Sequence, residues 1–220
     1  MLKAVIFDMD GVIVDTEPLH RKAYRSMFNE VGIDVSEALY ESFTGQSTLS
    51  ICKQLCHQFK LQESPQTLVN LKRQFFKSLF LNDGDLDLIE GVLDLIRDYY
   101  SNGLQLVLAS SASMLTINNV FTRFDLDQYF IGKLSGADLK ASKPHPEIFE
   151  KAAKISGFNR SECIVIEDST NGIKAANAAG IYCVGYKSVN SKNQNYSTAN
   201  TVISSFTEIK YSRVKPILGD

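Results

Sequence analysis

Four short apolar runs, rich in Val and Ile, recur along the chain: "AVIF" at 4–7, "LQLVLA" at 104–109, "CIVI" at 163–166 and "YCVG" at 182–185. Runs of this length without polar alternation predict strands buried on both faces. Between them apolar positions recur at helical spacing, over Gly91–Asn102, Ser113–Phe124, Pro146–Ser156 and Thr170–Ala179. Pro146 stands at a first-turn position and Gly180 just past the last of these segments, where helices favour them. Strand and helix in alternation predict an α/β fold, a Rossmann-like, doubly wound parallel sheet. The polar stretch Ser188–Asn200 reads as a flexible surface loop ahead of a last short strand near Thr201–Ile203.

One region departs from this rhythm. From about Leu19 to Leu81 the pattern is helical, as in "LHRKAYRSMFNEVG" and "SPQTLVNLKRQFFKSLFL", with no strand. The elements therefore divide the chain into a core of residues 1–15 and 86–220 and an all-helical insertion of residues 16–85 after the first strand. The connections Val12–Pro18 and Leu81–Glu90, the second containing Gly84, are short and polar enough to act as paired hinges, so the insertion is expected to be a lid or cap.

Composition narrows the class without choosing a partner. The chain has 220 residues, 44% hydrophobic and 22% charged, with a net charge of -2, which is ordinary globular composition without the basic field of a nucleic-acid binder. No apolar run reaches the ~20 residues of a membrane span. The first residues lack the pattern of a secretion or import signal, so a cytoplasmic protein is expected, with a monomer as the default state. Cys52, Cys56, Cys163 and Cys183 are too few and too scattered for a disulfide framework, and are expected to be reduced thiols. Cys52 and Cys56 beside His57 lack the second ligand pair of a structural zinc site and are read as packing residues on a helix.

In an open parallel sheet, ligands bind beyond the carboxyl ends of the strands. Here the residues following the apolar runs share a theme: Asp8 and Asp10, then Ser110 and Ser111, then Glu167 and Asp168, with Lys143 in "ASKPHP" ahead of a helix. Two like charges ~4 Å apart repel by on the order of 4 kcal/mol at an effective dielectric of 20, so four carboxylates on one rim call for a cation. With oxygen ligands and no paired His or Cys, Mg²⁺ fits best. The set suits phosphoryl transfer to a carboxylate: Asp8 attacks phosphorus, Asp10 serves as acid and then base, and Ser110 and Lys143 hold the phosphoryl oxygens. Gly11 lets the chain turn out of the strand.

These motifs, "FDMDGVIVDTEP", "VLASS", "SKPHPEIF" and "VIEDSTNGI", closely resemble those of the haloacid dehalogenase superfamily, over a span from Lys3 to about Lys187. The resemblance implies a Rossmann-like core, Asp8 as nucleophile, and Mg²⁺ bound by Asp8, the main-chain carbonyl of Asp10 and Asp168, with Glu167 nearby. Asp10 argues against the carbon–halogen branch, which lacks a second aspartate. Among the relatives with helical caps, sugar-phosphate phosphatases and β-phosphoglucomutase come nearest. The mutase carries a cap loop Gly-x-Ser-Arg; here the loop is Gly45-Gln46-Ser47-Thr48, and Thr48 lacks the bidentate fork of arginine. His20, Gln46, Thr48 and Arg73 are the candidate cap contacts to substrate. Lys72 is the alternative to Arg73 for a distal anionic group, the bland reading of Lys72, Arg73 and Lys77 is the solvated face of a helix, and His57 and His145 are read as structural.

The expectation is thus an Mg²⁺-dependent phosphatase for a small phosphorylated metabolite, such as a sugar phosphate, acting through an aspartyl-phosphate. A β-phosphoglucomutase-type isomerase is the alternative. A non-catalytic phospho-aspartate regulator is a third reading, weakened by the insertion and by Asp10 and Lys143, which such a regulator does not need.

Overall fold

A computed structural model describes residues 1–43, 46–84, 86–189, 191 and 193–214. The chain divides into two compact units, Met1–Asp15 with Asp87–Asp220, and Thr16–Leu86.

The first unit carries strands β1 (Ala4–Phe7), β2 (Gln105–Ser110), β3 (Phe130–Ser135), β4 (Cys163–Glu167), β5 (Tyr182–Tyr186) and β6 (Thr201–Ile203). They form one parallel sheet in the order β3-β2-β1-β4-β5-β6. The chain starts at the centre, builds outward on one side through β2 and β3, then returns to build the other side. That reversal opens a crevice at the carboxyl ends of β1, β2 and β4. The central strands are unbroken apolar runs because both faces are covered. Ala4 and Ile6 join Val107, Ala109, Cys163 and Val165 in one buried cluster. Next along β1 after Ile6, Phe7 points to the opposite face, where its ring meets Tyr99 and Phe130 at 6.3 and 5.7 Å.

In chain order, the helices are α1 (Glu17–Glu30), α2 (Glu37–Glu41), α3 (Thr48–Phe59), α4 (Pro65–Asn82), α5 (Val92–Ser101), α6 (Met114–Arg123), α7 (Glu147–Ser156), α8 (Thr170–Ala178) and α9 (Tyr211–Val214). In α5 the buried residues Val92, Leu95, Ile96 and Tyr99 fall on one stripe. Small residues face the sheet from α8, where Gly172, Ala175 and Ala176 are buried.

Strand β3 is absent from the sequence expectation. It lies at the sheet edge, Ile131 is 51% exposed, and Gly132 and Lys133 interrupt the apolar run, so the signal of a doubly covered strand is missing. Gly132 has a packing reason, since a Cβ there would come within 2.6 Å of Ile155 on α7.

The second unit contains α1 to α4 among its described residues, all helical as the sequence pattern predicts. Ser36, Ser47 and Ser64 cap α2, α3 and α4 by accepting backbone N–H groups three residues on. Tyr24, Met27 and Phe28 of α1 pack with Ile51, Cys52 and Leu55 of α3 and Leu68 and Val69 of α4. Cys52 is one of these packing residues, and all four cysteines are free thiols.

The connections differ from two polar hinges. Val12, Ile13 and Val14 are fully buried, folded back by the Met9 carbonyl, which accepts N–H bonds from Ile13 at 2.8 Å and Val14 at 3.1 Å. Leu81 belongs to α4, and Asp85 lies outside the described residues.

Candidate active site

Parallel pairing sets the side chains of the site. Phe7 pairs with Ile166, so Asp8 follows β1 beside Glu167, the last residue of β4, and the Asp8 N–H donates to the Ile166 carbonyl at 3.0 Å. Lys143 reaches this pair from the segment between β3 and α7. Its ammonium donates to Asp8 Oδ1 at 2.6 Å, Glu167 Oε1 at 2.7 Å and the Ala109 carbonyl at 3.1 Å, with the side chain only 6% exposed. Carboxylate oxygens of Asp8, Glu167 and Asp168 all lie within 4.8 Å of one another, the only such trio among the described residues.

The cluster is short of positive charge. Three carboxylates face one ammonium, and burial pushes Asp8 up to about 8, with Glu167 and Asp10 adding to it against the pull of Lys143. Burial likewise raises Asp168 well above the carboxylate range, and Glu167 and Asp8 add to that. Burial opposes the Lys143 charge too, yet Asp8 and Glu167 outweigh it and hold the ammonium protonated. A compact set of oxygen donors with uncompensated negative charge fits a hard divalent cation.

The three carboxylates are not equally available. Glu167 is fully engaged, with Oε1 on Lys143 and Oε2 accepting the Ser169 N–H at 2.7 Å and the Ser169 hydroxyl at 2.9 Å. Asp168 accepts the Ser191 hydroxyl on Oδ2. Ser110, at the end of β2, is buried, and its Oγ accepts the Ala112 N–H at 3.0 Å. Ser111 follows it, exposed, on the turn into α6. Asp10 is half-buried at the head of the turn after β1, close enough to Asp8 to raise its proton affinity. There Gly11 adopts φ +81°, and a Cβ on it would collide with Asp168 Oδ2 at 2.0 Å.

Within the helical unit, the predicted cap residues separate. Gly45 lies outside the described residues, and Gln46 is exposed, bonded to Ser42 and Ser50. Thr48 is the first residue of α3 rather than part of a loop, and its side chain hydrogen-bonds Tyr24. Arg73 lies on the exposed face of α4, whereas its neighbour Lys72 is 4% exposed and 2.6 Å from His20 Nδ1. Lys72 also lies over the Tyr24 and Phe76 rings, at 5.0 and 4.9 Å. A signal for this was present, because Leu68, Lys72, Phe76 and Phe80 recur every four residues along one stripe. His57 is exposed in the last turn of α3, and His145 Nδ1 accepts the Glu147 N–H at the start of α7.

Two further contacts escaped the sequence pattern. Gly172 presses against Glu167, where a Cβ would fall 1.8 Å from Oε1. Ser135, at the end of β3, donates to the Ala112 carbonyl at 2.9 Å and braces the turn that follows Ser110.

Comparison with known proteins agrees with this geometry. Residues 5–186 match the family model described as haloacid dehalogenase-like hydrolase. Hexitol phosphatase B of Escherichia coli O157:H7 is 29% identical over 217 residues, covering 98% of this chain and 96% of that protein. The phosphorylated carbohydrates phosphatase of Thermotoga maritima is 32% identical over 184 residues, 82% of each chain. Among solved structures, β-phosphoglucomutase from Clostridium difficile superimposes with a TM-score of 0.82 at 30% identity, covering 99% of this chain and 97% of that one. With an aspartate-led carboxylate cluster on the carboxyl edge of a doubly wound sheet and a match over most of its length, the chain belongs to the haloacid dehalogenase-like hydrolase family.

Proposed function

We propose that the protein is an Mg²⁺-dependent phosphatase that hydrolyses a small phosphorylated metabolite, a sugar phosphate or close relative, through an aspartyl-phosphate on Asp8. The observation that carries this reading is the Lys143 ammonium bridging Asp8 and Glu167 within the three-carboxylate cluster. The names of two relatives, a hexitol phosphatase and a phosphorylated carbohydrates phosphatase, support the substrate class.

In this reading Asp8, the main-chain carbonyl of Asp10 and Asp168, with Glu167 alongside, would hold Mg²⁺, which would supply positive charge to the phosphoryl group. Lys143 holds Asp8 by one oxygen, which leaves the other to attack phosphorus as the P–O ester bond breaks. Asp10, protonated, gives its proton to the departing alkoxide. In the second half, water attacks phosphorus, Asp10 takes the water proton, and inorganic phosphate leaves with Asp8 restored as a carboxylate. Ser110 and Lys143 hold the phosphoryl oxygens through both halves, and the buried surroundings strengthen those contacts.

The test is a panel of sugar and hexitol phosphates with Mg²⁺, in which inorganic phosphate is followed together with isomerised sugar phosphate. β-Glucose 1-phosphate is run with a trace of glucose bisphosphate. Release of inorganic phosphate that stops with EDTA, disappears in Asp8→Asn and falls roughly 10²–10⁴-fold in Asp10→Asn is the expected result. Fast formation of glucose 6-phosphate with little free phosphate identifies a mutase instead, the reading favoured by the C. difficile structure. No turnover of any member overturns both.

A further inference from the structure

The segment after β5 has a composition that reads as solvated loop, yet its described residues are tied to the carboxylate cluster and to the helix beside it. The Ser191 hydroxyl donates to Asp168 Oδ2. The same hydroxyl lies 3.0 Å from where a Gly11 Cβ would stand, so Asp168, Gly11 and Ser191 pack as one group. A few residues on, Gln194 Oε1 accepts the Thr170 N–H at 2.8 Å, and the Asn195 N–H donates to Thr170 Oγ1 at 2.7 Å. The Asn177 amide donates to the Thr198 carbonyl at 2.7 Å, and Asn200 exchanges bonds of 2.8 and 2.9 Å with the Cys183 backbone. Tyr196 lies against Gly185 of β5, and its buried hydroxyl has no hydrogen-bond partner among the described residues. A segment that buries a bare hydroxyl and caps a neighbouring helix does more than link two strands.

We infer that Ser191 is a positioning residue for Asp168, and that residues 193–200 are thereby coupled to divalent-cation binding at the cluster. The inference rests on the metal reading above. Asp8 is held by Lys143 and Glu167 by Lys143 and Ser169; Ser191 is the corresponding hold on the third carboxylate. By engaging Oδ2 it fixes the carboxylate rotamer and leaves Oδ1 to face the cation. Hydrogen bonds that orient ligands from behind typically carry 10–100-fold in metal affinity. Because Gln194 and Asn195 grip the first turn of α8, a change at Asp168 passes through Ser191 into that turn and the segment itself.

The experiment titrates Mg²⁺ into the wild type, Ser191→Ala and Ser191→Thr by calorimetry without substrate, and follows amide hydrogen exchange in peptides covering 193–200 with Mg²⁺ and with EDTA. Ser191→Ala is expected to bind Mg²⁺ on the order of 10-fold more weakly, with Ser191→Thr recovering affinity through its hydroxyl. In the wild type, exchange over 193–200 slows when Mg²⁺ is added, and in Ser191→Ala that response is lost. Exchange in EDTA separates this from general damage: weaker binding accompanied by faster exchange across the central strands in Ser191→Ala assigns a merely structural role and overturns the inference. Equal affinity in the wild type and Ser191→Ala also overturns it while leaving the metal reading intact. Absence of Mg²⁺ binding to the wild type overturns both.

Discussion

His20 is half-buried on α1, stacked on Phe76 at a centroid distance of 4.3 Å, with the Lys72 ammonium donating to its Nδ1. Burial first, and Lys72 second, hold its proton affinity well below the usual value of 6.5. The ring is therefore neutral in the fold, its Nδ1 accepting, and it gains a proton on unfolding once the pH drops below about 6.5. The unfolded state then binds more protons than the folded one, so stability is intact above that pH and is lost as pH falls, by at most about 1.4 kcal/mol per unit for one such group. Burial and the Lys72 ammonium act in the same direction, both against a charged ring, which fixes that sign. Urea unfolding at pH 7.0 and 5.5 is expected to show a larger loss for the wild type than for His20→Gln, and equal losses would remove His20 as the cause.

At the scale of elements, α8 meets β4 through a glycine. The Gly172 Cα lies so close to the Glu167 carboxylate that a methyl group would overlap it. Gly172→Ala must either displace Glu167 from Lys143 and Ser169 or shift the start of α8. We expect a loss of about 1–3 kcal/mol in denaturant unfolding, typical of overpacking, together with a drop in phosphate release. Alanine normally stabilises a helix interior relative to glycine, so an unchanged or raised stability would show that the contact relaxes freely. The motif "VIEDSTNGI" shows Gly172 plainly, but nothing in its helical spacing says that the residue one turn into the helix touches the last residue of the strand before it. The edge strand β3 was illegible for the opposite reason. Burial is what makes a strand visible as a pattern, and β3 is only half-buried.

At the scale of the whole molecule, the carboxylate cluster belongs to one compact unit and the helical insertion forms the other. Lys72, not Arg73, is the cation that the insertion buries. Lys72→Met removes the donor to His20 Nδ1 within that unit and is expected to change its stability, while Arg73→Met on the exposed face changes it by less than about 0.5 kcal/mol. Urea unfolding of both variants decides this, and equal effects would remove the buried contact as the reason. No helix among the described residues is long and apolar enough to cross a membrane.

The hydrophobic pattern by itself determined the central strands, the flanking helices and the helical character of the insertion, because each is local: an unbroken apolar run for a strand covered on both faces, or burial repeated every 3.6 residues for a helix. It also placed Asp8, Asp10, Ser110, Glu167 and Asp168 on one rim, since the carboxyl ends of parallel strands must share an edge. Only the tertiary structure decided that Lys143 bridges Asp8 and Glu167, that Lys72 meets His20 across 52 residues, and that Ser191 reaches Asp168 from a stretch of polar composition. Those contacts depend on how separate elements come to rest against one another, and residues far apart in sequence leave no periodic trace of meeting.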